Sequence, residues 1–250
     1  MTDPLHLLVL FLIGTVSGFL NVMAGGGSAI VLPILIFMGL DSALANGTNR
    51  VAILLQNISA VVSFRRREYL QLKESMTLSL LTLPGAIAGA ILAVRVSDET
   101  FQRILAVVMI GIIVSMFVSP TGRRKESDQN NNGRRKLIYP VMLAVGFYGG
   151  FIQVGVGFLF MASLYHLLKL NLVHVNMHKV FIVMVYTLPA LVVFALTGNV
   201  NWFIGLVLGV GNAFGAWWAA RASVEKGEKL IRVVLGVAIL IMSLKLFSVF

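Results

Sequence analysis

Apolar runs of about twenty residues, parted by short polar loops, recur along the chain from Pro4 to Phe247. A helix needs roughly 20 apolar residues to cross a hydrocarbon core of about 30 Å. Eight stretches reach that length: Pro4–Met23, Ala43–Val62, Ser75–Val94, Thr100–Val118, Leu137–Val154, Leu172–Leu196, Trp202–Ala220 and Leu230–Phe247. Two others, Ser28–Leu40 and Val156–Leu168, are too short to cross comfortably. Each adjoins a glycine-rich break, Gly25-Gly26-Gly27 or Gly155-Val156-Gly157. Short, glycine-interrupted segments in matching places of two halves mark discontinuous helices in transporters. The pattern alone leaves open whether they are thin crossings or arms of re-entrant hairpins.

The polar loops predict orientation. Arg65-Arg66-Arg67 with Lys73, the cation-rich stretch Ser119–Lys136, and Arg221 to Arg232 belong on the cytoplasmic side by the positive-inside rule. Val96–Thr100 and the uncharged Thr197–Asn201 belong outside. An arginine cluster thus follows the glycine break and long helix of the first half, whereas an uncharged loop follows the same unit in the second, so one half is flipped. The halves also align in sequence. Gly14 to Asn21 matches Gly146 to Gln153, and Ala45-Asn46-Gly47-Thr48-Asn49-Arg50-Val51 matches Val175-Asn176-Met177-His178-Lys179-Val180 with a one-residue gap. The expected fold is an all-α polytopic membrane protein of about 8–10 membrane segments. Two inverted-topology repeats, residues 1–118 and 137–250, each with a Gly-broken discontinuous or re-entrant helix, flank a solvated cytoplasmic linker, residues 119–136.

Composition agrees with a membrane setting. Hydrophobic residues are 58% of the 250, charged residues 12%, and mean hydropathy is +0.91; a soluble domain is about 25% charged. The net charge of +10 resides mostly in loops, so it sets orientation; with the apolar runs it excludes a soluble nucleic-acid binder. Met1 to Pro4 lacks the basic start of a secretory signal, and the first apolar run is expected to remain in the fold. The chain has no cysteine, which excludes disulfides, thiolate metal sites and a cysteine nucleophile. No metal-ligand cluster and no Ser-His-Asp spacing is visible, so neither a cofactor nor enzymatic catalysis is expected.

Polarity inside the apolar runs points to chemistry. All ten acidic residues fall in termini, loops or segment edges, but Arg50 and Lys179 each sit two helical turns inside a long segment, at repeat-equivalent positions. A charge at that depth costs at least about 2.5–3.5 kcal/mol, so it faces a cavity or a partner. With no carboxylate at comparable depth, an anion brought from outside is one partner; backbone carbonyls or snorkelling to an interface are the alternatives. Gly25, Gly26, Gly27 and Ser28, with Ser28 a possible cap, would offer amides at a helix start, where the dipole favours anions. Gly155 and Gly157 would do so from the second half. Asn21, Asn46, Thr48, Asn49, Gln153 and Asn176 would bond substrate oxygens or stitch helices; for Gln56 and Asn57 stitching is favoured. His178 is either a proton carrier or a hydrogen-bonded structural histidine. The spacings Gly85-x-x-x-Gly89, Gly205-x-x-x-Gly209 and Gly211-x-x-x-Gly215 predict close helix packing.

Gly14-x-x-x-Gly18-Phe19-x-Asn21-x-x-Ala24-Gly25-Gly26-Gly27-Ser28, Leu32-Pro33, Ala45 to Val51 and Phe64-Arg65-Arg66 together resemble the TauE/SafE family of sulfite and organosulfonate exporters, also called the toluene sulfonate uptake permease family. The stretch from Asn176 to Pro189 is similar too, while Gly47 stands where the family more often carries Ala. The resemblance implies a multi-pass transporter of the bacterial or archaeal inner membrane. Its cargo would be small sulfur oxyanions or sulfonates, often exported. The expected partners are therefore a small anionic substrate and the lipid bilayer. An anion channel built from the same parts and a non-transporting membrane scaffold are the competing readings.

Overall fold

The computed structural model describes residues 4–118 and 136–247. The expected linker lies outside the described residues except for Lys136. Among the described residues the order is α1 (Pro4–Met23), α2 (Ser28–Phe37), α3 (Ser42–Arg65), α4 (Leu72–Ala93), α5 (Asp98–Val118), α6 (Ile138–Phe151), α7 (Val156–Leu168), α8 (Leu172–Leu196) and α9 (Trp202–Phe247). Four stretches are long and apolar enough to cross a membrane: α1, α4, α8 and Trp202–Ile231 of α9. At 24 residues, α3 spans about 36 Å, but it carries the buried Asn46, Thr48, Asn49, Arg50, Gln56 and Asn57. Its polar side chains point inward, while Leu8, Leu12 and Val16 of α1 and Leu206, Val210 and Phe214 of α9 point outward. This is the arrangement that a lipid surround favours.

Three boundaries differ from the hydropathy reading. The stretch expected as Leu137–Val154 forms a helix of only 14 residues, about 21 Å and too short to cross. Its helix stops because Gln153 (φ 63°) and Gly155 (φ 69°) turn left-handed. The segment expected as Trp202–Ala220 runs on through the polar residues that follow it to a break at Gly227 (φ 65°, ψ −161°), which parts it from the helix expected as Leu230–Phe247. Finally, α2 ends at Phe37 rather than Leu40, just before Gly39 at φ 91°.

At both glycine breaks the chain doubles back. Gly25 takes φ 84°, a conformation costly for any residue with a Cβ. Gly27 lies against the Ser17 carbonyl, and the Ser28 N–H reaches Asn21 Oδ1 at 3.2 Å. Beyond it, Leu32 and Leu35 share an apolar cluster with Leu10 of α1. At the second break, Val156 packs on Gly149 of α6. Leu168, at the end of α7, shares a cavity wall with Ile138 and Tyr139 at the start of α6. Each short helix is therefore the return arm of a hairpin.

Two glycine seams hold these hairpins. Gly14 and Gly18 of α1 press on the backbone of Leu208 and Asn212 in α9, while Gly211 and Gly215 press on Phe11 and Thr15. Gly146 and Gly150 of α6 press on Thr82 and Ala86 in α4, while Gly85 and Gly89 press on Leu143 and Phe147. Any Cβ added there would strike a carbonyl oxygen, so the small residues set the interhelical distance. Numbers rise together across both seams, so α1 runs parallel to α9 and α6 parallel to α4. In contrast, α3 and α8 are antiparallel. The Asn201 N–H after α8 donates to Thr48 Oγ1 near the start of α3 at 2.9 Å, and the Tyr69 ring after α3 lies 5.4 Å from that of His174 near the start of α8.

The starts of α3 and α8 are secured alike. The Ser42 N–H donates to Asp98 Oδ1 at 2.6 Å, and the Leu172 N–H to Glu228 Oε1 at 2.7 Å, each across 56 residues of chain. A carboxylate there satisfies a free helix-end amide and complements the dipole. Hydrogen bonding by Ser42 holds the Asp98 carboxyl below its usual range.

Candidate functional site

Arg50 projects from α3 onto the C-terminal end of α6. Its Nη1 donates to the Gly149 carbonyl at 3.2 Å and to Gln153 Oε1 at 2.8 Å, and its Nη2 to the Gly150 carbonyl. The guanidinium also lies 4.6 Å from the Phe194 ring centroid, a favourable cation–π distance. Asn46 Nδ2 donates to the Phe151 carbonyl at 2.7 Å. Lys179 does the matching task from α8. Its Nζ donates to the carbonyls of Asn21 at 3.0 Å and Val22 at 2.6 Å, the C-terminal end of α1, and to Asn176 Oδ1 at 2.9 Å. Both cations are fully enclosed.

In this structure each deep charge thus meets a broken helix end, the backbone-carbonyl alternative named above. The physical reason is direct: each glycine break exposes the last carbonyls of a helix, whose partial negative charge needs a buried donor. A second expectation changes in the same region. Ser28 does not cap α2; Gly27 occupies the cap position without a side-chain bond. Instead Asn21, from the preceding helix, accepts the Ser28 N–H through Oδ1 and donates through Nδ2 to Ser28 Oγ at 3.4 Å and Gln56 Oε1 at 3.0 Å.

Between the two breaks lies a cavity of about 20 Å³, with Asn21, Ser28, Gln56, Asn57, Gln153, Gly157 and Lys179 as its polar and glycine wall and Ile53, Val156 and Val183 as its apolar wall. That volume accommodates about one water; a sulfur oxyanion is larger. Gly25 abuts Gly157, and a Cβ on Gly25 would stand 2.7 Å from the Gly157 Cα. The starts of α2 and α7, both positive dipole ends, therefore converge on one point, with the Lys179 ammonium beside them and no acidic side chain in the wall.

Of the residues expected at the site, Asn21, Ser28, Gln153, Gly157 and Lys179 line this cavity. Gly25, Gly26, Gly27 and Gly155 form the breaks behind it. Arg50, Asn46 and Asn176 belong to the two helix-end clusters, Thr48 binds the loop after α8, and Asn49 is buried with neither side-chain polar atom bonded to protein. His178 stands apart, with Nδ1 at 2.8 Å from Ser75 Oγ and Nε2 at 3.8 Å from Glu74 Oε2. Gln56 and Asn57, expected mainly to stitch helices, are walls of the cavity, although Gln56 also ties α3 to Asn21. Tyr186, a site neighbour that polarity counting passed over, places its hydroxyl against Gly149, near Arg50, without a protein hydrogen bond. Its signal was a tyrosine facing inward within an apolar run. Nε of Arg50, Nε2 of Gln153 and Nδ2 of Asn176 are likewise buried and without a protein partner.

Comparison with known proteins places this geometry in a lineage. The chain is similar to the probable membrane transporter protein ORF9 of a Sinorhizobium species, 29% identical over 246 residues that cover 97% of this chain and 93% of the relative. It is similar to the probable membrane transporter protein YfcA of Escherichia coli strain K12, 31% identical over 250 residues, 98% of this chain and 91% of the relative. A probable membrane transporter protein of Haemophilus influenzae is 28% identical over 229 residues, 90% of this chain and 88% of the relative. No solved structure matches the chain. The sequence model described as Sulfite exporter TauE/SafE matches residues 10–246. The apolar helices and these relatives make it a multi-pass membrane protein of the transporter type. The chain belongs to the TauE/SafE sulfite exporter family.

Proposed function

We propose that the protein is a secondary transporter that carries a small sulfur-containing anion, such as sulfite, thiosulfate or a short organosulfonate, outward across the inner membrane. The observation that carries this reading is the central cavity: two helix starts, the Lys179 ammonium and four side-chain amides converge there, with no carboxylate in the wall. Such a wall attracts an anion and supplies hydrogen-bond donors for its oxygens. The family description supports sulfite-like cargo.

The cavity as it stands is too small for that cargo, so binding requires the hairpins to part. Lys179 supplies a mechanism for linking the two events. Its donors hold the end of α1 in the closed arrangement; an arriving anion competes for the same ammonium and releases α1. The buried Nε2 donor of Gln153, which lines the cavity and lacks a protein partner, gains an acceptor when an oxyanion enters, worth about 1–3 kcal/mol. The two parallel glycine seams, the antiparallel α3 and α8, and the matched carboxylate caps support a pair of inverted repeats, residues 1–118 and 137–250, that rock about the cavity.

Reconstituted liposomes test the reading. Labelled sulfite, thiosulfate, sulfoacetate or taurine should show saturable counterflow, which an open channel does not support, and Lys179→Gln should lower it at least tenfold. Absence of counterflow for all of them, or a Lys179→Gln protein that matches the parent, would overturn it.

A further inference from the structure

His178 lies outside the anion wall, and its surroundings differ from those of the other polar residues in the interior. The ring is completely enclosed, whereas its neighbour Glu74 is 42% exposed. Glu74 also lines a second cavity, of about 670 Å³, together with Lys73, Thr77 and Lys136. This cavity opens on the face that bears the Arg65–Lys73 cations. On the other side of His178, one residue along α8, Lys179 borders the central cavity. A carboxylate reached by water, a buried imidazole and the substrate wall thus follow one another over the first two turns of α4 and α8.

The hydrogen bonds suit the ring to proton transfer. When Nδ1 carries the hydrogen it donates to Ser75 Oγ, 2.8 Å away, and the Nε2 lone pair faces Glu74. No protein atom occupies Nε2 within hydrogen-bonding distance, and the 3.8 Å gap to Glu74 Oε2 closes with a small rotation of the carboxylate. Other charged or titratable groups near the ring are few. His174 is one turn earlier on α8 with its ring tilted against that of Tyr69, and Glu228 from α9 caps the helix start. Arg67 and Arg221 both pair with Glu225. His166 of α7 rests on Tyr165, and Arg50 of α3 is engaged about four turns further along, at Phe194.

We propose that Glu74 and His178 form a proton-transfer pair between the cation-rich face and the substrate wall, and that a proton moves with the anion during transport. This rests on the transport reading above. A proton from water enters on Glu74 Oε2. The carboxyl O–H bond then breaks as the Nε2–H bond forms, leaving carboxylate and an imidazolium whose Nδ1–H remains with Ser75; once the site opens to the opposite face, the Nε2–H bond breaks to water there and the ring returns neutral. The imidazolium adds a positive charge beside Lys179, so protonation and anion occupancy favour each other.

Two measurements test the pair. In liposomes carrying protein labelled with ¹⁵N at its four histidines, the His178 ring signal, assigned by its loss in His178→Gln, should take up a proton as bulk pH falls from about 8 to about 3, and at a higher pH when the anion is present. A ring fixed in one protonation state across that range overturns the proposal. In pyranine-loaded liposomes given sulfite, thiosulfate or sulfoacetate in turn, each anion that enters should acidify the lumen. Glu74→Gln should cut that acidification at least tenfold while labelled-anion counterflow stays within twofold of the parent, and Lys73→Gln should change neither. Acidification by Glu74→Gln equal to the parent's, or anion entry without acidification, overturns the proposal. If the parent moves none of the three anions, the transport reading falls, and the ring's response alone then decides for or against the proton pair.

Discussion

Arg50 and Lys179, aligned with each other in the sequence, each seal a broken helix end, yet their surroundings differ. Lys179 borders the central cavity and holds α1 with a compact ammonium that rotates freely among acceptors. Arg50 stands behind Gln153, away from that cavity, and its planar fork is clamped by two carbonyls, an amide oxygen and the Phe194 face. The difference teaches that sequence equivalence does not imply equal roles. One break is bolted and the other is held by a group that also borders the central cavity.

The largest expected effect is therefore on stability at the bolted side. Arg50→Ala strands the Gly149 and Gly150 carbonyls and Gln153 Oε1 in a dry interior and should cost about 3–5 kcal/mol, read as a fall in Tm in detergent. Arg50→Lys should recover part of it. Lys179→Gln should retain more stability than Arg50→Ala while losing at least tenfold in anion counterflow. If the two substitutions lower Tm and counterflow alike, the contrast between the halves is wrong.

The break residues sharpen the same comparison at intermediate scale. Gly25 and Gly39 both take positive φ, so alanine is strained at each by about 1–2 kcal/mol. Only at Gly25 does the added Cβ also strike another backbone, that of Gly157; at Gly39 nothing lies within 4 Å. Gly25→Ala should accordingly lower Tm further than Gly39→Ala and suppress counterflow, whereas Gly39→Ala should leave counterflow near the parent's.

The smallest effect concerns the capping carboxylates. Asp98 is held below its ordinary value of 3.8 by Ser42, so its contribution is present above about pH 4 and fades as pH falls through that lowered value. The group is largely exposed, so at most about 1 kcal/mol is at stake. Melting curves of Asp98→Asn taken from pH 6 down to about pH 3 should lose less Tm on acidification than the parent's. An identical acid slope would remove Asp98 from the account of how α3 is anchored.

Much of this architecture was legible in the order of residues. Apolar runs located the long helices because lipid imposes a fixed length on a crossing, and the Gly-x-x-x-Gly spacings identified seams because only a missing Cβ lets backbones touch. The equivalence of Arg50 and Lys179 was legible as well, through the short motif around each. Their partners were not, because a helix end becomes an acceptor only after the chain breaks, and nothing in Gly149 or Val22 as letters marks a carbonyl in need. The caps from Asp98 and Glu228 were hidden for a related reason: they reach 56 residues back along the chain, beyond any local capping pattern. The early stop of α6 coincides with Gln153 at φ 63°, where its side chain accepts from Arg50, a partner distant in the sequence.

The seam between α1 and α9 bears on how the protein is made. Helix α1 presses its glycines on a helix made about two hundred residues later. Until α9 is synthesised, Gly14 and Gly18 present bare backbone to lipid, and the α1–α2 hairpin has no wall to rest against. Insertion of α1 is consequently provisional, and closure of this seam awaits the synthesis of α9. A chain arrested after its first half would hold α1 in the bilayer without its mate, an exposed seam open to quality-control proteases and to mispairing with another copy.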